Sequence, residues 1–135
     1  MHTTNYFDTF IAVAEDTAAV AAAEPPTRAT PTIAELTYRM IAENPYRYTS
    51  DDVIFAVWAD RRDVAPEERE SARAEFFAKG QPCMRSSDLG KRYGWGVHTD
   101  AEGRIALVPV ESAEYARLVA GEGGVTVTRA MRSKR

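Results

Sequence analysis

The sequence is poor in the residues that most often carry chemistry. It holds one cysteine, Cys83, and two histidines, His2 and His98. A single thiol excludes an intramolecular disulfide and leaves no cysteine set for a structural zinc. With so few imidazoles, a metal site would need carboxylates such as Asp51, Asp52 or Asp100. Asp51-Asp52 after Ser50 reads more simply as a turn, so no metal and no cofactor is expected. No apolar run approaches the length of a membrane span. The opening Met1-His2-Thr3-Thr4-Asn5 lacks the basic-then-apolar pattern of a secretory signal. The expectation is a cytoplasmic protein that does not enter a membrane. A broad basic surface is missing too: net charge is −3 and the pI about 5.4. That balance speaks against nucleic acid as a partner.

What is present is ordinary globular material. The 135 residues, 44% hydrophobic and 27% charged, fit one domain over 1–135 with a core large enough to fold unaided. Charge is unevenly spread. Residues 1–79 carry fourteen acids and eight bases; residues 80–135 carry six acids and nine bases. Arg129, Arg132, Lys134 and Arg135 crowd the end, making 130–135 a basic C-terminal tail. Such a tail either solubilises the chain or meets an anion.

Periodicity suggests the elements. Tyr6 to Ala14 reads as a buried strand with both faces covered. Thr17 to Ala23, alanine-rich, has the makings of a helical turn. Thr32-Ile33-Ala34-Glu35 has capping-box spacing, and Ile33, Leu36, Met40 and Ile41 follow along one helical side until Asn44-Pro45. The apolar run Val53-Ile54-Phe55-Ala56-Val57-Trp58 reads as a central strand. Pro66 opens a helix that Phe76 and Phe77 anchor and Gly80 ends. Trp95 to Val108 reads as a hairpin with a three-residue loop, Ala101-Glu102-Gly103, pairing His98 with Ala106 and placing Gly103 at a left-handed position. That register puts Trp95, Val97, Ile105 and Leu107 on one face and Gly96, His98, Asp100, Arg104 and Ala106 on the other. A short helix over Ala113 to Ala120 and a strand over Val125 to Arg129 close the chain. The expected class is α+β, a mainly antiparallel sheet of about five strands with about three helices.

The chemistry concentrates between Gly80 and His98. Cys83 and His98 supply a nucleophile and a base in the sense of thiol catalysis, with Asp100 on the His98 face. Arg85, Lys91 and Arg92 supply charge-assisted donors for an anion, and Tyr93 and Trp95 supply planes for stacking, although Trp95 also suits the core. Ser87-Asp88-Leu89-Gly90-Lys91 is not a phosphate loop, because the glycine spacing and the following hydroxyl are absent.

Several stretches also carry a family resemblance: Asn5-Tyr6-Phe7-Asp8-Thr9-Phe10-Ile11, Pro45-Tyr46-Arg47-Tyr48-Thr49-Ser50-Asp51-Asp52-Val53, Gly80-Gln81-Pro82-Cys83-Met84-Arg85-Ser86-Ser87, Lys91-Arg92-Tyr93-Gly94-Trp95-Gly96-Val97-His98, and Ala130-Met131-Arg132-Ser133-Lys134-Arg135. The chain resembles a family of small, mostly bacterial proteins catalogued as a domain of unknown function. The Thr17 to Ala23 stretch departs from that pattern. The resemblance implies a complete protein but no activity, ligand or catalytic residue.

The leading functional expectation is binding of a small phosphate- or carboxylate-bearing ligand at the Cys83–His98 segment, with or without catalysis. Arg85, Lys91, Arg92 and Tyr93 would hold the ligand, and His98 and Cys83 would carry any chemistry. The alternative is a protein-interaction module that uses the basic tail and exposed aromatics without a small-molecule site. Neither reading fixes the oligomeric state, and a homo-oligomer is compatible with both.

Overall fold

The computed structural model describes residues 1–133. Its centre is a mixed sheet of four strands in the order β3-β2-β1-β4. The strands are β1 (Thr9–Ala12), β2 (Trp95–Thr99), β3 (Ile105–Pro109) and β4 (Thr126–Arg129). β1 pairs antiparallel with β2 and parallel with β4, so the sheet is not antiparallel throughout. Five α-helices surround it: α1 (Ile33–Ala42), α2 (Ser50–Arg61), α3 (Arg69–Phe76), α4 (Asp88–Lys91) and α5 (Ala113–Val119). The α+β class therefore holds, with one strand fewer and two helices more than expected.

The difference begins at Val53 to Trp58, which is helical, not a strand. The run is apolar because α2 is buried on more than one side. Val53 and Val57 enter the main core against Ile11, Val97 and Ile105. Phe55 and Ala59 enter a second cluster with Phe76 and Phe77. A helix packed on two sides loses its one-sided pattern and imitates a buried strand. Its start is fixed chemically. The Thr49 hydroxyl accepts from Asp52 N–H (3.2 Å), and the Asp52 carboxylate accepts from Thr49 N–H (3.0 Å). This is a reciprocal cap of the first turn.

The N-terminal segment is tied to the same turn. The Asp51 carboxylate accepts from the Thr3 hydroxyl (2.6 Å), Thr4 N–H (2.7 Å) and the Thr4 hydroxyl (2.7 Å). Asp51 N–H donates to the Asn5 side-chain oxygen (2.9 Å). Asp51 thus anchors residues 3–5 onto α2 and is more than a turn residue.

At α1 only half of the expected capping box forms. The Thr32 hydroxyl accepts from Glu35 N–H (3.1 Å). The Glu35 carboxylate instead accepts from Arg28 N–H (3.0 Å), and its second oxygen lies 2.8 Å from the Arg39 guanidinium as an ion pair outside hydrogen-bond geometry.

The hairpin has the expected register. His98 stands opposite Ala106 and Thr99 opposite Ile105. Asp100 N–H donates to Arg104 C=O (2.9 Å), and Gly103 has φ 84°. Strand alternation puts Ile11, Val97 and Ile105 on one face, covered by α1, α2 and α4. Phe10, Gly96, His98 and Val108 lie on the other, where Tyr115 and Leu118 of α5 pack. Each large side chain buried this way contributes roughly 1.5–3 kcal/mol.

Two smaller expectations change. Residues 17–23 form no helical turn. They run irregularly along Tyr93-Gly94-Trp95, where Ala23 N–H donates to Tyr93 C=O (2.9 Å) and Ala22 N–H to the Glu111 carboxylate (2.7 Å). α3 ends at Phe76, with Phe77 as its cap, before Gly80 is reached.

Candidate functional site

The segment after α3 is held from both ends. The Gln81 side chain donates to Phe76 C=O (2.7 Å). A single 3₁₀ turn covers Met84–Ser86, and the Ser87 hydroxyl caps α4 through Leu89 N–H (3.2 Å). Met84 and Leu89 are buried in the main core and pull this loop onto α1 and α2. The loop does not seat fully. It leaves a cleft of about 440 Å³ bounded by α1, α2, Phe76 and residues 81–88.

The cleft walls are apolar, built from Ile33, Ala34, Ile54, Val57, Trp58 and Phe76, with Met84 opposite. Its polar side chains are varied: the Cys83 thiol, Thr37, Gln81, Ser86, Ser87, Asp88, and the Arg61 and Arg62 guanidinium groups. Arg61 donates one N–H to Pro31 C=O (2.9 Å). Arg62 lies 4.6 Å over the Trp58 ring. A guanidinium held over an aromatic ring by cation–π attraction keeps N–H donors for other partners. Arg62 and Trp58 also border a second, more polar depression of about 510 Å³ that includes Glu75 and Lys79.

Of the residues singled out in the sequence, Cys83 lines this cleft, whereas Arg85, Lys91, Arg92, Tyr93 and His98 do not. The Cys83 sulfur is 3.5 Å from the Tyr6 hydroxyl. That contact, followed by burial, holds the Tyr6 pKa above its usual value, while the nearby Arg85 charge acts in the opposite direction. The Arg85 Nε–H donates to Arg129 C=O (2.6 Å), so this guanidinium is partly committed to joining the loop to β4. Lys91 and Arg92 end α4, with Arg92 exposed. Tyr93 packs against the main core, and the Trp95 indole N–H donates to Ala23 C=O (2.9 Å).

His98 lies on the opposite face of the sheet from the Cys83 loop. Its Nδ1 is 2.7 Å from the Tyr46 hydroxyl, and the two rings meet edge to face at 5.6 Å. Burial, then the negative charges of Glu114 and Asp100, raise the Tyr46 pKa. Tyr46 holds φ 57°, a strained value for a bulky residue. The structure thus joins Cys83 to Tyr6 and His98 to Tyr46, but does not join Cys83 to His98.

The C-terminal segment packs back onto the molecule. Met131 N–H donates to Arg85 C=O (2.8 Å), Ser133 N–H to the Asp16 carboxylate (3.0 Å), and Arg132 lies 3.7 Å from Glu15. Lys134 and Arg135, the last two bases of the expected tail, lie outside the described residues.

Sequence reasoning missed Ile54, Trp58, Arg61 and Arg62, which α2 contributes to the cleft. The available signal was local: the hydroxyl of Thr49 and the carboxylate of Asp52 at capping spacing, which marks a helix start ahead of the apolar run.

Together these features define a helix-covered mixed sheet with a largely apolar cleft between its helical layer and one loop. The chain belongs to a family of unknown function, DUF6157, whose model matches residues 1–135. No curated protein and no solved structure matches the chain. No helix among the described residues is long and apolar enough to cross a membrane.

Proposed function

We propose that this protein binds a small molecule with an apolar body and a carboxylate or phosphate head in the cleft between α1, α2 and residues 81–88. The cleft itself carries the reading. Its volume suits a small ligand, and mostly apolar walls with a few polar groups are the usual make-up of such sites. The apolar body packs against Ile54, Val57 and Trp58. The head meets the free donors of Arg61 and Arg62, which replace the Arg85, Lys91 and Arg92 clamp expected from sequence. Asp88 also lines the cleft, and its carboxylate disfavours a second negative charge beside it.

Any chemistry on the bound molecule falls to the Cys83 thiol, with Tyr6 as its partner. His98 takes no part, being on the far face of the sheet. The protein-interaction alternative is less well supported, because residues 131–133 are engaged by Arg85, Asp16 and Glu15.

A thermal-shift screen with medium-chain carboxylates and aryl phosphates tests the reading. Stabilising hits are expected that Arg62→Glu weakens at least tenfold and Asp88→Asn strengthens. No hit, or hits indifferent to both substitutions, would exclude the cleft as an anion site.

A further inference from the structure

The sheet has two edges, and they are treated differently. On β3, Tyr46 N–H donates to Ile105 C=O (2.9 Å) and Ile105 N–H to Tyr48 C=O (2.9 Å), and Thr49 bridges to Arg104. The 46–49 segment therefore covers the start of that edge. At β4 the cover is confined to the end of the edge, where Met131 N–H donates to Arg85 C=O (2.8 Å). In its parallel ladder with β1, Thr126 N–H reaches Asp8 C=O and Ala130 N–H reaches Ala12 C=O, each at 2.8 Å. Residues 126, 128 and 130 thus turn their backbone groups toward β1, and Val125, Val127 and Arg129 turn theirs outward. The Arg129 carbonyl accepts from Arg85 Nε–H. The Val127 N–H, the Val127 carbonyl and the Arg129 N–H have no partner among the described residues.

Exposed edges are normally blunted with proline, charged side chains, a bulge or a covering loop. Thr126-Val127-Thr128-Arg129 carries one charge, Arg129 at its end, contains no proline, pairs with β1 in unbroken register, and leaves Val127 at its middle 38% exposed. We propose that β4 pairs antiparallel with β4 of a second copy, about a two-fold axis at Val127. In that register Val127 exchanges both backbone bonds with Val127 of the copy. Arg129 N–H meets the Val125 carbonyl of the copy, and the reverse. The Arg129 carbonyl keeps a second lone pair for Val125 N–H.

The side chains agree with the same register. Val127 faces Val127, Thr126 faces Thr128, and Val125 faces Arg129, so β-branched residues meet and no like charges oppose. Gly123 and Gly124 have open space around them, which leaves room for the Arg85 loop that holds Met131 of the copy. The interface is isologous and joins the two sheets into one.

Light scattering on the full chain tests this. The expected mass approaches twice 14.9 kDa at high concentration and falls on dilution. Val127→Lys sets two ammonium groups across the axis and is expected to weaken self-association at least tenfold. In a Cys83→Ser background, Val127→Cys is expected to cross-link on mild oxidation. Thr126→Cys and Thr128→Cys are each expected to stay free of cross-links alone and to cross-link when mixed. A monomeric mass at every concentration would overturn the proposal and leave the edge to another chain. A dimer indifferent to Val127→Lys would also overturn it. If Val127→Lys fails to fold by circular dichroism, the cysteine series decides: cross-linking of Thr126→Cys alone, or none in the mixture, refutes the register.

Discussion

Replacing Asp51 with alanine removes an acceptor used by two residues of the N-terminal segment. Thr4 is buried, and its N–H loses a carboxylate at 2.7 Å. Stranding such a donor costs roughly 1–3 kcal/mol. The Thr4 hydroxyl keeps Ser50 at 2.8 Å and loses less. The Thr3 hydroxyl is only part-buried, so its bond is worth about 0.5–1.5 kcal/mol. Removing a negative charge from the first turn of α2 adds about 0.3–1 kcal/mol. The expected total for Asp51→Ala is about 3 kcal/mol, and Asp51→Asn, which keeps one acceptor oxygen, should cost about half of that. Urea unfolding followed by circular dichroism measures both. Because Tyr6 follows this anchored segment and touches the Cys83 sulfur, Asp51→Ala should also speed alkylation of Cys83. A loss below about 1 kcal/mol with unchanged alkylation would refute the claim that Asp51 holds the N-terminal segment in place.

Other outcomes follow from the same contacts. A Cβ at Gly96 would stand 2.5 Å from Phe10 Cζ and 3.0 Å from Tyr115 Cε2, both rings being buried. Gly96→Ala should therefore cost about 1–3 kcal/mol, and Phe10→Leu in the same chain should recover part of it in a double-mutant cycle. The pKa values of Tyr6, Tyr38 and Tyr46 are all raised in the folded state, by the Cys83 contact for Tyr6 and by burial for the other two. The folded state then binds these protons more tightly than the unfolded state. The protection is full below pH 10, the ordinary tyrosine value, and is lost as pH rises through the folded values. Urea midpoints should fall above pH 10, and Tyr46→Phe should flatten the fall.

The hairpin was legible because its turn chemistry and its pairing agree. Gly103 can take the positive φ that a three-residue loop requires, and only that loop length sorts Val97 and Ile105 onto one face. α5 and β4 were legible for the same kind of reason, with Gly121 closing the helix at φ 85°. α2 was not legible from periodicity, since Val53 and Phe55 face different cores and every side of the helix reads as apolar. Misreading α2 also hid the cleft, because Ile54, Trp58, Arg61 and Arg62 line it together only when that segment is a helix. The Cys83–His98 pairing looked close in sequence but depends on which face each residue occupies. The loop carrying Cys83 packs on the side of α1 and α2, and alternation along β2 sends His98 to the other.

The chain has two tryptophans, which makes the site directly readable. Trp58 lines the cleft, whereas the Trp95 indole N–H is bonded to Ala23 outside it. In a nitrogen–proton correlation spectrum titrated with the best carboxylate or phosphate from the screen, the Trp58 indole signal should move saturably while that of Trp95 stays in place. Movement of Trp95 with Trp58 unmoved, or of neither, would contradict a ligand seated between α1, α2 and residues 81–88.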